Sequence, residues 1–196
     1  PYRRQRQMCI RDSIKLEFMN LNLNELVQQV NGEFTERFES RNLDLICILQ
    51  PEPLLICADS RRIWRVLENL YVNVCKYAMP GTRVYVDAIR KDGKIQFSIN
   101  NISENALNCE ADELTERFIR GDVSRSTEGS GLGLSIAKNL TVLQQGTFDI
   151  YLDGDLFKVT ITFDEVVKEK KPETSGYTAK PEMPEEDLEK PSSDTI

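Results

Sequence analysis

The 196-residue chain has no histidine, a single tryptophan and few aromatic residues overall, 8 % of the total. Nothing it does can depend on an imidazole of its own. No apolar run approaches the length of a membrane-spanning helix, and no signal-peptide pattern is present. The five cysteines, at 9, 47, 57, 75 and 109, show neither Cys-x-x-Cys pairing nor metal-site spacing. Cys47, Cys57 and Cys75 sit in apolar patterns and are expected to be buried thiols in a reducing cytoplasm. Internal repeats are absent. With 25 basic against 32 acidic residues the net charge is −7, which argues against a nucleic-acid-binding surface.

What is present is enough for a core: 40 % of the residues are hydrophobic and 29 % charged, the balance of one globular domain with ends. The ends differ from the middle. Arg3 to Ser13 can be encoded throughout by the read-through of a transposase-library sequencing adapter, so residues 1–13 are expected to be an artefact rather than a basic native arm. The true upstream half of the protein would then have been lost at a fragment end. From Asp164 onward the composition shifts, with four of the eight prolines (172, 181, 184, 191) among ten acids and five lysines. Such a stretch buries too little apolar surface to fold, so 164–196 is expected to be a disordered acidic tail. That leaves 14–163 as the domain.

Two stretches organise this domain. The first is Thr127-Glu-Gly-Ser-Gly-Leu-Gly-Leu-Ser-Ile-Ala-Lys-Asn-Leu140. Gly129, Gly131 and Gly133 alternate with small or apolar residues and lead straight into a helical pattern whose face is expected at Leu132, Ile136, Leu140 and Leu143. Glycines at a helix entry leave backbone N–H groups uncovered beside the positive end of the helix dipole, a setting that suits phosphate. A tight loop fits the same pattern. It is neither a P-loop, lacking the following Gly-Lys-Ser/Thr, nor a Rossmann fingerprint.

The second stretch runs from Asp59 to Ala78. Ile63, Leu67, Leu70, Tyr71, Val74 and Ala78 make a core stripe at helical spacing. Beside it lie Asn69, Asn73, Lys76 and Tyr77, at i, i+4, i+7 and i+8. Two amides and an ammonium bordering a core face suit a hydrated magnesium ion on a phosphate chain, since magnesium takes oxygen ligands and keeps its waters. Lys76 adds a point charge.

Together the two stretches closely resemble the ATP-binding module of bacterial sensor histidine kinases, in the superfamily shared with gyrase and heat-shock chaperone ATPases. Asn69 to Tyr77 reads as the N box and Gly129 to Leu134 as the second glycine box. Leu114 to Arg125 resembles the F box and nucleotide lid, with the boxes in family order between about Leu23 and Phe163. The resemblance implies a two-layer α/β sandwich, a mixed sheet with three long helices on one face. ATP would lie between the N-box helix and the lid. By the same resemblance Asn73 would ligate Mg2+ with Asn69 assisting, and Lys76 would contact phosphate. Tyr77 would pack near the adenine, and Asn101 would read its amino group. Arg120 and Arg125 of the lid, with Gly129, Gly131, Leu132, Gly133 and Leu134, would surround the phosphates. The family's first glycine box, an Asp followed by spaced glycines, is here Asn101, Ser103 and Asn105.

The superfamily's ATP hydrolases carry a Glu one turn before the magnesium Asn, where it activates water. This chain has Asn69 there, which cannot take a proton, and Glu68 lies about 100° round the helix. Transfer to a protein side chain is therefore favoured over hydrolysis. The acceptor histidine and the dimerising hairpin that presents it are absent from this chain. The resemblance thus implies the donor half of a kinase, the cytoplasmic portion of a membrane-anchored sensor, monomeric as it stands. Its partners would be that missing hairpin and a downstream response regulator. Two other readings are an anti-sigma-factor serine kinase, which lacks the hairpin naturally, and an interaction module that no longer binds nucleotide.

Around these motifs the pattern predicts a lead-in strand over Leu16 to Leu23 and a helix capped by Asn24, with Leu26, Val27, Val30, Phe34 and Phe38 inward and its end at Asn42. Strands over Leu43–Leu49 and Leu54–Cys57 flank the Pro51-Glu-Pro53 turn, and Asp59 is expected to cap the N-box helix. That helix ends at Met79-Pro80-Gly81. A hairpin then turns at Lys91-Asp-Gly-Lys94, a short helix is expected over Ala111–Phe118 within a long polar lid, Gln145-Gly146 turns into a strand, and Asp153-Gly-Asp155 closes a last hairpin ending at Phe163.

Overall fold

A lead-in strand and an amphipathic helix open the molecule in the computed structural model, which describes residues 15–105, 107 and 132–166. β1 (Phe18–Asn22) runs directly into α1 (Leu23–Ser40), followed by β2 (Asp44–Leu49) and β3 (Leu55–Asp59). Then come α2 (Ser60–Tyr77), β4 (Arg83–Lys91), β5 (Lys94–Ile102), α3 (Gly133–Leu143), β6 (Thr147–Asp153) and β7 (Leu156–Asp164). The adapter-like residues 1–13, the helix expected over Ala111–Phe118, most of the expected lid and the tail beyond Val166 lie outside the described residues.

The main sheet has five strands in the order β2-β4-β5-β7-β6, and β1 pairs with β3 in a two-stranded sheet. β2 and β4 are parallel, while every other neighbouring pair is antiparallel. The sheet is therefore mixed, as expected, with the helices on one face. Alternation along the strands sets that face: Val84, Val86 and Ala88 of β4, Ile95, Phe97 and Ile99 of β5, and Phe157, Val159, Ile161 and Phe163 of β7 are all buried. Facing them, α2 buries Ile63, Val66, Leu67, Leu70, Tyr71 and Val74. Tyr71 joins α1 to α2 by stacking on Phe38 at 5.8 Å and meeting Phe34 edge-on at 5.3 Å between ring centroids. The β4–β5 turn places Asp92 at φ 52° and Gly93 at φ 71°, the left-handed pair that a two-residue hairpin requires.

Several expectations change. The cap of α1 is Asn22, whose Oδ1 accepts from the Asn24 backbone N–H. Asn24 is itself buried, and its Nδ2 donates to the Gln50 and Glu52 carbonyls, holding the turn before β3. Cys57 is exposed because Ile56 and Ala58 take the inward positions of β3. Cys47 is exposed because β2 is an edge strand; its Sγ accepts from Asn31 Nδ2 at 3.1 Å. Cys75 alone of the three is half-buried. On α3 the buried face is Leu134, Ser135, Ala137 and Thr141, whereas Leu132 is 39 % exposed. The small residues Ala137 and Thr141 let α3 approach closely, and Ile136, Leu140 and Leu143 fall on its half-buried flank. At the C-terminal end, pairing runs past Phe163: Glu165 bridges Ile56, and the Val166 N–H donates to the Leu55 carbonyl at 2.9 Å.

Candidate functional site

The N-box helix begins as its sequence dictates. Asp59 Oδ1 accepts from the Arg62 N–H at 3.1 Å, and Oδ2 accepts from the Glu17 N–H at 3.0 Å. Burial pushes the Asp59 carboxyl up. The N–H groups of Glu17, Arg62 and Arg61 and the Arg62 charge outweigh this and leave it below the ordinary carboxylate value. With the start of α2 fixed, the 3.6-residue period puts Asn69 and Asn73 side by side at the edge of the core, both half-buried. Asn69 Nδ2 donates to the Arg65 carbonyl at 2.6 Å, so the donor side of this amide is already used. Its Oδ1 points to α3, where a Cβ on Gly133 would stand 3.2 Å away. The two motifs thus meet side chain to backbone, and a larger residue at 133 would crowd the amide oxygen.

Lys76 and Tyr77 lie in the last turn of α2, Lys76 exposed and Tyr77 half-buried. Tyr77 is tied to the end of β5 by a short antiparallel ladder. Ala78 bridges Ser103, Met79 N–H donates to the Ile102 carbonyl at 2.8 Å, and Glu104 N–H donates to the Tyr77 carbonyl at 2.8 Å. Asn101, one residue before Ile102, is 3 % exposed. Its Nδ2 donates to the Ile102 carbonyl at 3.1 Å, and its buried Oδ1 has no partner among the described residues. An unpaired buried acceptor costs roughly 1–3 kcal/mol, so its survival at this position fits a ligand donor. The chemistry of the set suits an adenine nucleotide with a divalent ion. Asn101 offers one acceptor to an exocyclic amino group, Asn69 and Asn73 offer amide oxygens, and the glycine at 133 puts no side chain against the Asn69 oxygen.

Of the predicted site residues, Asn69, Asn73, Lys76 and Tyr77 share α2, and Gly133 meets Asn69. Leu134 is buried in the core, and Leu132 is exposed at the start of α3, so the leucines alternate between inside and outside there. Arg120, Arg125, Gly129 and Gly131 lie outside the described residues. Glu68 pairs with Arg65 at 2.6 Å, on a different side of α2 from the Asn69–Gly133 contact. Sequence reasoning missed Arg41 and Gln144. Arg41 reaches the end of α2, and Gln144 its start, from far away in the chain, and neither lies in a local pattern that marks it.

Among the described residues no helix is long and apolar enough to cross a membrane, and no cluster of acidic or thiol side chains has the grouping of a metal site. The family model described as histidine kinase-, DNA gyrase B-, and HSP90-like ATPase matches residues 58–188. The signal transduction histidine-protein kinase BaeS of Escherichia coli is 30 % identical over 123 residues, 62 % of this chain and 26 % of that protein. The sensor histidine kinase RppB of Synechocystis is 29 % identical over 147 residues, 71 % of this chain and 32 % of that one. The chain thus spans about a quarter to a third of the length of these relatives. Among solved structures, the nucleotide-free catalytic domain of histidine kinase ThkA superposes with a TM-score of 0.65 at 25 % identity, covering 76 % of this chain and 96 % of that domain.

Proposed function

Because the chain belongs to the histidine kinase-, DNA gyrase B- and HSP90-like ATPase family, we propose that it is the catalytic domain of a two-component sensor histidine kinase. It would hold Mg2+-ATP and give the γ-phosphate to a histidine on a helical hairpin outside this sequence. One observation carries the reading: the N-box amide Asn69 faces the glycine-rich helix entry so closely that a Cβ on Gly133 would stand 3.2 Å from its Oδ1. Asn73 and Asn69 would hold the magnesium ion, and the bound ion supplies charge neutralisation on the triphosphate. Phosphoryl transfer asks mainly for positioning and charge neutralisation. This chain's residues position: Tyr77 flanks the purine, Asn101 Oδ1 accepts from its amino group, and Lys76 adds a cation at the phosphates. Arg120, Arg125, Gly129, Gly131, Leu132 and Leu134 would complete the phosphate side through guanidinium groups and backbone amides. Asn69 takes no proton and Glu68 is engaged with Arg65, so water is not activated from this helix and a protein acceptor is favoured. The whole protein would be a membrane-anchored sensor with this domain in the cytoplasm and a response regulator as its downstream partner.

The test is a titration of a fluorescent ATP analogue with and without EDTA, on the parent chain and Asn73→Asp. Micromolar binding that weakens at least tenfold with EDTA, and changes in the variant, is the expected result. Binding indifferent to both would remove the magnesium role, and no binding at all would leave an interaction module.

A further inference from the structure

Arg41 stands at the C-terminal cap of α1, far in sequence from both motifs. One nitrogen of its guanidinium, Nη2, donates to the Ala78 carbonyl at 3.1 Å and to Glu104 Oε2 at 3.0 Å. These acceptors sit on the two sides of the short ladder that joins the end of α2 to the end of β5. Tyr77 and Asn101 border that ladder on its two strands, Tyr77 opposite Glu104 and Asn101 next to Ile102. The ion pair is half-exposed, with side-chain exposures of 34 % and 48 %, and such pairs contribute little to global stability. Arg41 Nε is buried without a partner among the described residues, an arrangement that costs free energy and is tolerated here beside the two Nη2 contacts. The position of the cation therefore serves geometry more than stability.

We propose that Arg41 is a positioning residue for base recognition: by clamping the Ala78 carbonyl and the Glu104 carboxylate, it sets the spacing of Tyr77 and Asn101 and so the width of the slot that takes the purine. The inference rests on the nucleotide reading above and adds to it a residue outside every box of the family pattern. It acts through the Ala78 carbonyl on one side and the Glu104 side chain on the other, and neither hydrogen bond goes to Asn69 or Asn73. Its loss should therefore weaken the base end of the site and leave the metal end unchanged.

The experiment measures ATP and ADP dissociation constants for the parent, Arg41→Met, Arg41→Lys, Glu104→Gln and the Arg41→Met/Glu104→Gln double variant, each with Mg2+ and with EDTA. Arg41→Met keeps the apolar stem and removes the donors. It is expected to weaken ATP and ADP by the same factor, roughly tenfold, the scale of a lost charged hydrogen-bond pair. The factor by which EDTA weakens ATP binding should remain that of the parent. Arg41→Lys should recover most of the affinity, and the double variant should bind less weakly than the product of the single effects, since the two residues share one contact. Arg41→Met binding within twofold of the parent, or an EDTA factor that shrinks in step with affinity, overturns the proposal. Should Arg41→Met fail to fold, Glu104→Gln and Arg41→Lys decide it on the same two readings. A parent chain that binds no adenine nucleotide overturns the functional reading itself, and this inference with it.

Discussion

The backbone N–H of Asp59 donates to Gln144 Oε1 at 2.9 Å, although 85 residues separate them. Asp59 caps the start of α2, and Gln144 caps the end of α3. Gln144 is 1 % exposed, and its Nε2 is held by the Leu140 carbonyl at 2.9 Å, so the amide cannot turn away. This bond pins the start of α2 to the end of α3, and the Asn69–Gly133 approach brings the middle of α2 against the start of α3. The glycine-rich helix thereby takes its position from the N-box helix.

Gln144→Leu keeps the volume and removes the acceptor, leaving the Asp59 N–H buried and unpaired. We expect a loss of about 2 kcal/mol in urea unfolding, the cost of an unsatisfied buried group. A change below about 0.5 kcal/mol, the usual range of surface substitutions, would mean that water or another group serves Asp59 equally well.

Asp59 also gives a pH dependence. Its folded-state carboxyl lies below the ordinary value because the Glu17, Arg62 and Arg61 N–H groups and the Arg62 charge outweigh burial. A lowered carboxylate contributes stability that is fully present above the unfolded value, about 4, and is lost as pH falls through the folded value. Unfolding free energies at pH 7, 5, 4 and 3 should fall more steeply for the parent than for Asp59→Asn. Parallel curves would show that the carboxylate is not the titrating group.

Gly146 follows α3 and is buried, and a Cβ there would meet Phe163 Cε1 at 2.7 Å, Phe163 Cζ at 2.8 Å and Thr141 Cγ2 at 2.9 Å. Both neighbours are held, Phe163 by the core and Thr141 by its bond to the Ala137 carbonyl. Gly146→Ala is therefore expected to destabilise by about 2 kcal/mol through overpacking. A melting temperature equal to the parent's would show that the β6 entry can shift outward without cost.

Most of this architecture is legible in the sequence. Period-2 alternation marks Val84, Val86 and Ala88, and period-3.6 spacing marks Ile63, Leu67, Leu70 and Val74, because each element is half-buried and its pattern reports one face. The Asp59 cap is equally local. Three features were not legible, for different reasons. Leu132, Ile136, Leu140 and Leu143 are apolar at helical spacing, yet α3 buries Leu134, Ser135, Ala137 and Thr141, a face that packing and not apolar spacing selects. Cys47 is apolar in context, but its strand lies at the sheet edge, and strand order is a tertiary fact. Arg41 and Gln144 act across 37 and 85 residues, where no window of sequence joins the partners.

The thiols order themselves by the same tertiary facts. Cys57 is exposed, whereas burial pushes the Cys75 thiol up to about 11 against the nearby Arg37 and Arg41 charges. Cys47, exposed at the sheet edge, is raised by the partial desolvation its neighbours impose and by the Asp87 charge, opposed by the Asn31 hydrogen bond. Since the thiolate is the nucleophile, alkylation at pH 8 followed by peptide mass mapping should, of the three described cysteines, label Cys57 first and Cys75 last. The Cys75 rate should rise nearly tenfold per pH unit up to about pH 10. Equal rates for Cys57 and Cys75 at pH 8 would contradict the burial of α2's last turn.

Gly133→Ala separates the site from the fold. Gly133 opens α3 with an ordinary negative φ, so alanine suits the backbone and should gain up to about 1 kcal/mol of helix stability. The added Cβ would stand 3.2 Å from Asn69 Oδ1, tighter than an ordinary contact, and the amide must give by a few tenths of an ångström. Asn69 cannot yield freely, because its Nδ2 is tied to the Arg65 carbonyl at 2.6 Å. The oxygen offered to the metal would therefore be displaced or rotated. The expected outcome is a melting temperature equal to or above the parent's together with roughly tenfold weaker Mg2+-dependent ATP binding. The EDTA factor should shrink, in contrast to the Arg41 variants, because this change strikes the metal end of the site. Calorimetry on the parent and Gly133→Ala, with matched thermal melts, reads both quantities on the same samples. Unchanged affinity with a raised melting temperature would show that Asn69 Oδ1 takes no part in holding the nucleotide, and the metal would then rest on Asn73 alone.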